Sequence, residues 1–189
     1  PRDWELLMIG RRLSRPQVGA PSLAHGLGWG GAGFQEQVRD SRALPACVEK
    51  VQKFVADTGV PKRVATTFGE LAHELVMNAV YDAPADAAGR PRFAHDRKAS
   101  VVLAEHEAAT LRVGCDGVRL HMQVTDPFGR LERAHVFGGL ARGFQGGQMD
   151  QRQGGAGLGM LVCHNATAGL MYDVIRGKKT EVTGFFDLD

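Results

Sequence analysis

The chain has 189 residues, 43% hydrophobic and 23% charged, with a formal net charge of +2. That is enough apolar material for one folded domain and rules out a disordered chain, while the small charge and scattered basic residues give no case for nucleic acid. No apolar run approaches the roughly 18 residues needed to span a bilayer, and the three cysteines (Cys47, Cys115, Cys163), odd in number and without a CxxC pair, disfavour a disulfide scaffold or a zinc site and point to a reducing cytoplasm. The opening Pro1-Arg2-Asp3-Trp4 has neither an initiator Met nor a signal-peptide shape. It reads as a cut inside a longer protein, the rest of which would hold an input or output domain.

In chain order, residues 1–15 have the spacing of a short amphipathic helix, with Trp4, Leu7 and Met8 along one side. A glycine- and proline-rich stretch follows, so residues 1–33 read as an extension or linker and 34–189 as the domain. Its Gly28-Trp-Gly-Gly-Ala-Gly33 run resembles a phosphate loop only superficially: no apolar strand precedes it and no Gly-Lys-Ser/Thr follows. Phe34–Arg39 alternates like a strand. Leu44, Val48, Val51 and Val55 recur at helical spacing, with Pro45 in the first turn and Gly59 just past the end. A second helix starts near Pro61 on the stripe Val64, Phe68, Leu71, Leu75, Ala79, and stops near Asp82-Ala-Pro84. Residues 84–97 read as a polar loop. Ser100–Glu105, Thr110–Cys115 and Val118–Thr125 read as strands, the last two joined by an Asp116-Gly117 hairpin turn. Residues 132–144 have helical character, 138–155 are glycine-rich, a helix is expected from about Gly157 to Thr167, and Leu170–Arg176 with Thr180–Leu188 closes the chain as a hairpin. The expected fold class is α+β, with helices on one face of a mixed, largely antiparallel sheet.

Four short segments carry candidate chemistry. In Glu70-Leu-Ala-His-Glu74-Leu-Val-Met-Asn78-Ala79, Glu74 and Asn78 are four apart and share a helix face beside the apolar stripe. A boundary helix with a solvated carboxylate and one satisfied amide accounts for the same residues. Asp126, followed by Pro127, Phe128 and Gly129, ends a strand, where an ionised carboxylate can accept an exocyclic amino proton of a base; a plain Asp-Pro turn is the simpler account. Gly155, Gly157, Leu158 and Gly159 lead into an apolar helix, an arrangement that lets backbone amides approach an anion or serves as a hinge. Thr180 follows the turn Gly177-Lys-Lys, either as an edge threonine or as a hydroxyl beside Asp126.

In this order the four segments resemble the boxes of the GHKL superfamily of ATPases, which includes gyrase-type enzymes, heat-shock chaperones, histidine kinases and mismatch-repair proteins. Glu74-Leu-Val-Met-Asn78-Ala79 looks like the N-box, Asp126–Gly129 like the first glycine box, Gly155–Gly159 like the second, and Gly177–Val182 like the strand with the late threonine. The match covers about residues 34–188 and is most similar to the anti-sigma-factor serine kinase branch. It implies a Bergerat-type two-layer α/β sandwich that binds ATP or ADP with Mg2+. It further implies that Asn78 holds the metal, Glu74 orients or deprotonates the attacking hydroxyl or water, and Asp126 reads adenine with Thr180 in support. Gly129 and the amides of Gly155, Gly157, Leu158 and Gly159 would line the nucleotide, with residues 130–154 as its lid. The implied function is phosphate transfer to a protein partner, on Ser/Thr or on His, with a non-catalytic nucleotide sensor as the alternative; a homodimer is compatible with either.

Departures from the pattern are local. The first box usually carries glycines at the third and fifth positions from its aspartate, where Phe128 and Arg130 stand here, and the aromatic or histidine after the N-box is met only by Tyr81. These changes bear on turnover more than on nucleotide binding. No phosphoacceptor helix precedes residue 34: His25 lies in a glycine-rich loop, and His73, though next to Glu74, has the setting of an ordinary helix histidine.

Overall fold

The apolar stripes that start at Leu44 and at Val64 are faces the molecule buries, whereas the one in residues 1–15 is exposed at Leu7. A computed structural model describes residues 3–14, 31–144 and 158–188. Helix α1 (Asp3–Ser14) exposes Leu6, Leu7, Ile9 and Leu13. Helix α2 (Leu44–Asp57) starts with proline in its first turn, buries Leu44, Cys47, Val51 and Val55, and ends where Gly59 takes φ +83°. Helix α3 (Lys62–Met77) buries Val64, Phe68, Leu71 and Leu75, and then widens into a π-turn over Asn78–Asp82, closed by Ala83 N–H on Asn78 O at 2.9 Å. Helix α4 (Arg133–Phe144) and the short α5 (Leu158–Asn165) pack on each other, and α5 also packs on α3.

Five strands form one sheet: β1 (Ala32–Val38), β2 (Ala109–Cys115), β3 (Arg119–Asp126), β4 (Gly169–Ile175) and β5 (Lys179–Asp187), in the order β1-β2-β3-β5-β4. Every neighbouring pair is antiparallel, so the sheet expected to be mixed has no parallel pair among the described residues. Both expected hairpins are present, the first turning at Gly117 (φ +87°), the second at Gly177 (φ +69°). β1 begins two residues before Phe34. Its Gly33 lies so close to β2 that a Cβ there would sit 2.5 Å from Val113 O, so the last glycine of the Gly28–Gly33 run belongs to the sheet; Gly28 and Gly30 lie outside the described residues.

Register explains the layers. Leu111 faces Val124, Val113 faces Met122, Cys115 faces Leu120 and Val124 faces Val182, and these side chains join the buried faces of α2 and α3 in one core. The result is a two-layer α+β sandwich with helices on one face of the sheet. The opposite face of the central strands carries His121, Gln123, Glu181 and Thr183, all buried. Gln123 Nε2 donates to Thr183 Oγ1 at 3.1 Å, and Thr125 Oγ1 to Glu181 Oε2 at 3.1 Å. The strand expected at Ser100–Glu105 is instead an extended segment with a single bridge, Val102 to Asp40. Val101 and Leu103 are buried, and their backbone groups bond to Ser41 and Arg39. That connection ties the segment to the start of α2 and leaves no ladder to extend.

Candidate functional site

The candidate residues come from four elements, and their positions follow from the fold. Asp126 closes β3 directly opposite Thr180 on β5. It is 7% exposed. Its Oδ1 accepts from Phe128 N at 2.9 Å and Gly129 N at 3.3 Å, and Thr180 bonds to it through both hydroxyl and backbone. Burial pushes its carboxyl above the ordinary carboxylate range, and those hydrogen bonds pull the other way. Asp126 therefore serves at once as the cap of its own turn and as a carboxylate at the sheet end facing the helical layer.

Gly129 completes that turn in the left-handed region, at φ +63°. A Cβ there would overlap Ile175 O and lie 2.8 Å from the backbone nitrogens of Gly177 and Lys178. The Asp126–Gly129 turn is thus locked onto the β4–β5 turn that carries Thr180, with Gly177 N–H donating to Gly129 O at 3.3 Å.

Glu74 and Asn78 sit on one face of α3 and its π-turn, both half-buried. Glu74 meets the start of α5: a Cβ at Gly159 would overlap Glu74 Oε2 and lie 3.1 Å from its Cδ. A side chain at position 159 would require the end of the Glu74 side chain to turn away from between the two helices. The same carboxylate, after burial, helps to push the Cys163 thiol up to about 12. Gly155 and Gly157 lie outside the described residues, as does the side chain of Leu158, whose backbone opens α5.

Three residues that sequence reasoning did not assign to the site complete the arrangement. Asp82 lies one further step of four beyond Asn78, at the end of the π-turn. The regular series Glu74, Asn78, Asp82 was the signal that could have found it. Arg97, from the polar loop, forms an ion pair with Asp82, and the same Nη2 stands 3.4 Å from Asn78 Oδ1. Burial pushes Asp82 upward, and Arg97 and His135 oppose this. Arg130, next to Gly129, donates through Nη1 to Asp82 O at 3.4 Å and Ala83 O at 3.3 Å. Nothing local in the sequence marks Arg97, because its partners are 15 and 19 residues away.

A magnesium ion takes about six oxygen ligands in a near-octahedral shell. Here the oxygens of Asn78 and Asp82 both accept from one guanidinium, whose positive charge would lie beside any cation seated on them. As arranged, these residues do not fit magnesium. A separate hollow of about 990 Å³ lies between α4, the end of α5 and the edge strand β4. Its walls include Val136, Leu140, Leu170 and Tyr172 but none of Glu74, Asn78, Asp126 or Thr180, so it is not the cleft the motifs describe.

His73 is exposed on α3, and His25 lies outside the described residues. No described helix is long and apolar enough to cross a membrane.

No family model matches the chain, and no curated protein matches it. Among solved structures it is similar to a chain of the SiaB–SiaC complex from Pseudomonas aeruginosa, with a TM-score of 0.52 and 15% identity over 96% of this chain and 98% of that one. At that identity the likeness is one of fold.

Proposed function

We propose that this protein is a nucleotide-binding signalling module that transfers the γ-phosphate of ATP to a protein partner, on Ser/Thr or on His. One observation carries the reading. An unbroken line of contacts runs from Gly159 to Glu74, along the helix face to Asn78, through Arg97 and Asp82 to Arg130, and on to Gly129, Asp126 and Thr180. Residues more than a hundred positions apart thus form one rim, with an acceptor carboxylate at one end and glycine backbone at the other. In this reading Asp126 and Thr180 hold adenine, and glycine amides at the entry to α5 hold phosphate. Glu74 accepts the proton of the attacking hydroxyl as the new P–O bond forms and ADP leaves. The shared fold with a chain that the SiaB–SiaC complex contains supports a protein as the partner.

The second reading, a nucleotide sensor without turnover, is favoured by the ion pair of Arg97 with Asp82 beside Asn78. Two substitutions test both readings. Asp126→Asn should weaken ATP and ADP binding by about 1.5–3 kcal/mol, the worth of a charge-assisted hydrogen bond, with part of the loss shared by the turn that Asp126 caps. Unchanged affinity in calorimetry removes Asp126 from the site. Glu74→Ala should keep ATP affinity and lose about 10²–10⁴ in the rate of phosphate transfer. A wild-type protein that binds ATP but transfers phosphate to no partner and hydrolyses none establishes the sensor.

A further inference from the structure

We propose that Arg97 supplies the positive charge at the phosphate end of this cleft, in place of a metal ion, so that nucleotide binds without a divalent cation. The inference rests on the nucleotide reading above and specifies its ionic requirement.

Position comes first. The guanidinium of Arg97 pairs with Asp82 and stands over the Asn78 amide oxygen, the oxygen that the resemblance assigns to magnesium. Its side chain is only 17% exposed. The loop that carries it is pinned on both sides. Tyr81 Oη donates to Ala99 O at 2.7 Å, and Asp96 Oδ1 accepts from Lys98 N at 3.0 Å. Further back, Asp86 holds Arg90, and Ala85 bridges to Pro91. Arg97 is therefore built into the site rather than swept across it.

Chemistry comes second. A guanidinium is charged at every accessible pH, and its planar fork matches two phosphate oxygens. Among the described residues both hydrogen bonds of Arg97 use Nη2, and Nη1 and Nε form the rest of the fork. Arg130 brings a second guanidinium to the same turn, donating to the carbonyls of Asp82 and Ala83. His135 adds a third basic group near Asp82. Against these stand the carboxylates of Asp82 and, near Arg130, Asp86, with Glu74 one turn before Asn78 on the same helix face. A dication seated on Asn78 would have to displace a fixed guanidinium from its carboxylate and then lie beside it. An anionic polyphosphate meets the opposite situation, since the charge it needs is already in place.

The test is calorimetric titration of ATP and of ADP into the purified protein, once in EDTA and once with excess magnesium chloride. Wild type should bind with affinities in the two buffers that agree within about threefold. Arg97→Gln should weaken binding in EDTA about tenfold or more, the scale of one charge-assisted phosphate contact. Because Arg97→Gln leaves Asp82 without its partner, the double variant Asp82→Asn/Arg97→Gln, checked by thermal melting, carries the same expectation in a site with no stranded carboxylate. Binding that requires magnesium in wild type overturns the proposal while the nucleotide reading stands. Equal affinity of the double variant and wild type in EDTA overturns it as well. No binding of either nucleotide in either buffer removes the nucleotide reading itself, and this inference with it.

Discussion

At the scale of single residues, the glycines of the candidate boxes are of two physical kinds. Gly159 keeps room only for the far end of the flexible Glu74 side chain, which can turn away from an added Cβ. Gly129 is needed for both space and conformation. Its φ of +63° lies where a Cβ costs about 1–2 kcal/mol, and that Cβ would run into backbone of the β4–β5 turn, which cannot rotate away. Gly129→Ala should therefore destabilise the protein by about 2–4 kcal/mol, which for a domain of this size lowers the melting temperature by about 4–16 °C. Calorimetric melts of the two proteins check it, and a variant that melts with wild type shows that the turn is not locked as described. The sequence marked Gly129 through its distance from Asp126. It could not show what Gly129 packs against, because Ile175 and Gly177 are more than forty residues away. The same limit hid Arg97: its role is set by a loop that returns to the end of α3, and nothing in its neighbours' spacing announces this.

At the scale of elements, those with a strong local period were legible. The stripe Val64, Phe68, Leu71, Leu75 is buried as α3, and the turns at Gly117 and Gly177 join the expected strands. What failed was the strand at Ser100–Glu105, where a β-like run found one bridging residue instead of a neighbour strand. Alternation also could not announce the second buried face of β3, where polar residues are enclosed. His121 on that face is fully buried. Burial holds its imidazole down to about 4 from 6.5, and the nearby Asp116 opposes this only in part. The sign follows from proton counting. Between pH 6.5 and about 4 the unfolded chain binds a proton at His121 that the folded chain does not, so stability is full above that window and falls as pH drops through it. At pH 5 the loss from this one group is about 2 kcal/mol relative to pH 7.5. Urea unfolding of wild type and His121→Gln at the two pH values should show a pH-dependent loss smaller by about that amount in the variant. Parallel pH dependence in both proteins would mean that His121 takes up its proton in the folded state.

At the scale of the whole molecule, the three cysteines sample regions of different strength. Cys47 lies in α2, Cys115 at the end of β2 and Cys163 in α5, and all three belong to one hydrophobic core. Helix α5 has eight residues and is held by its contacts with α3, α4 and β4. Burial raises the thiols of Cys47 and Cys163 to about 11 and about 12, so neither is a thiolate nucleophile while the fold is closed. Modification then reports opening. A helix of eight residues that meets α3 at the Gly159–Glu74 approach and α4 where Gly143 lies against Leu161 places fewer side chains in the core than α2 or α3, and it should open sub-globally, ahead of α2, α3 and the sheet. Cys163 should accordingly react with an aromatic disulfide reagent about tenfold or more faster than Cys47, the ratio given by a difference of about 1.4 kcal/mol in opening free energy. ATP should slow Cys163 and leave the ratio of Cys47 to Cys115 unchanged, because the proposed phosphate contacts fasten the entry to α5 and do not touch α2 or β2. Mass spectrometry of labelled peptides over time resolves the three sites. One common rate for all three would mean that α5 opens only with the whole domain. A Cys163 rate indifferent to saturating nucleotide would separate α5 from the binding site, and with it the glycine segment that the nucleotide reading places against phosphate.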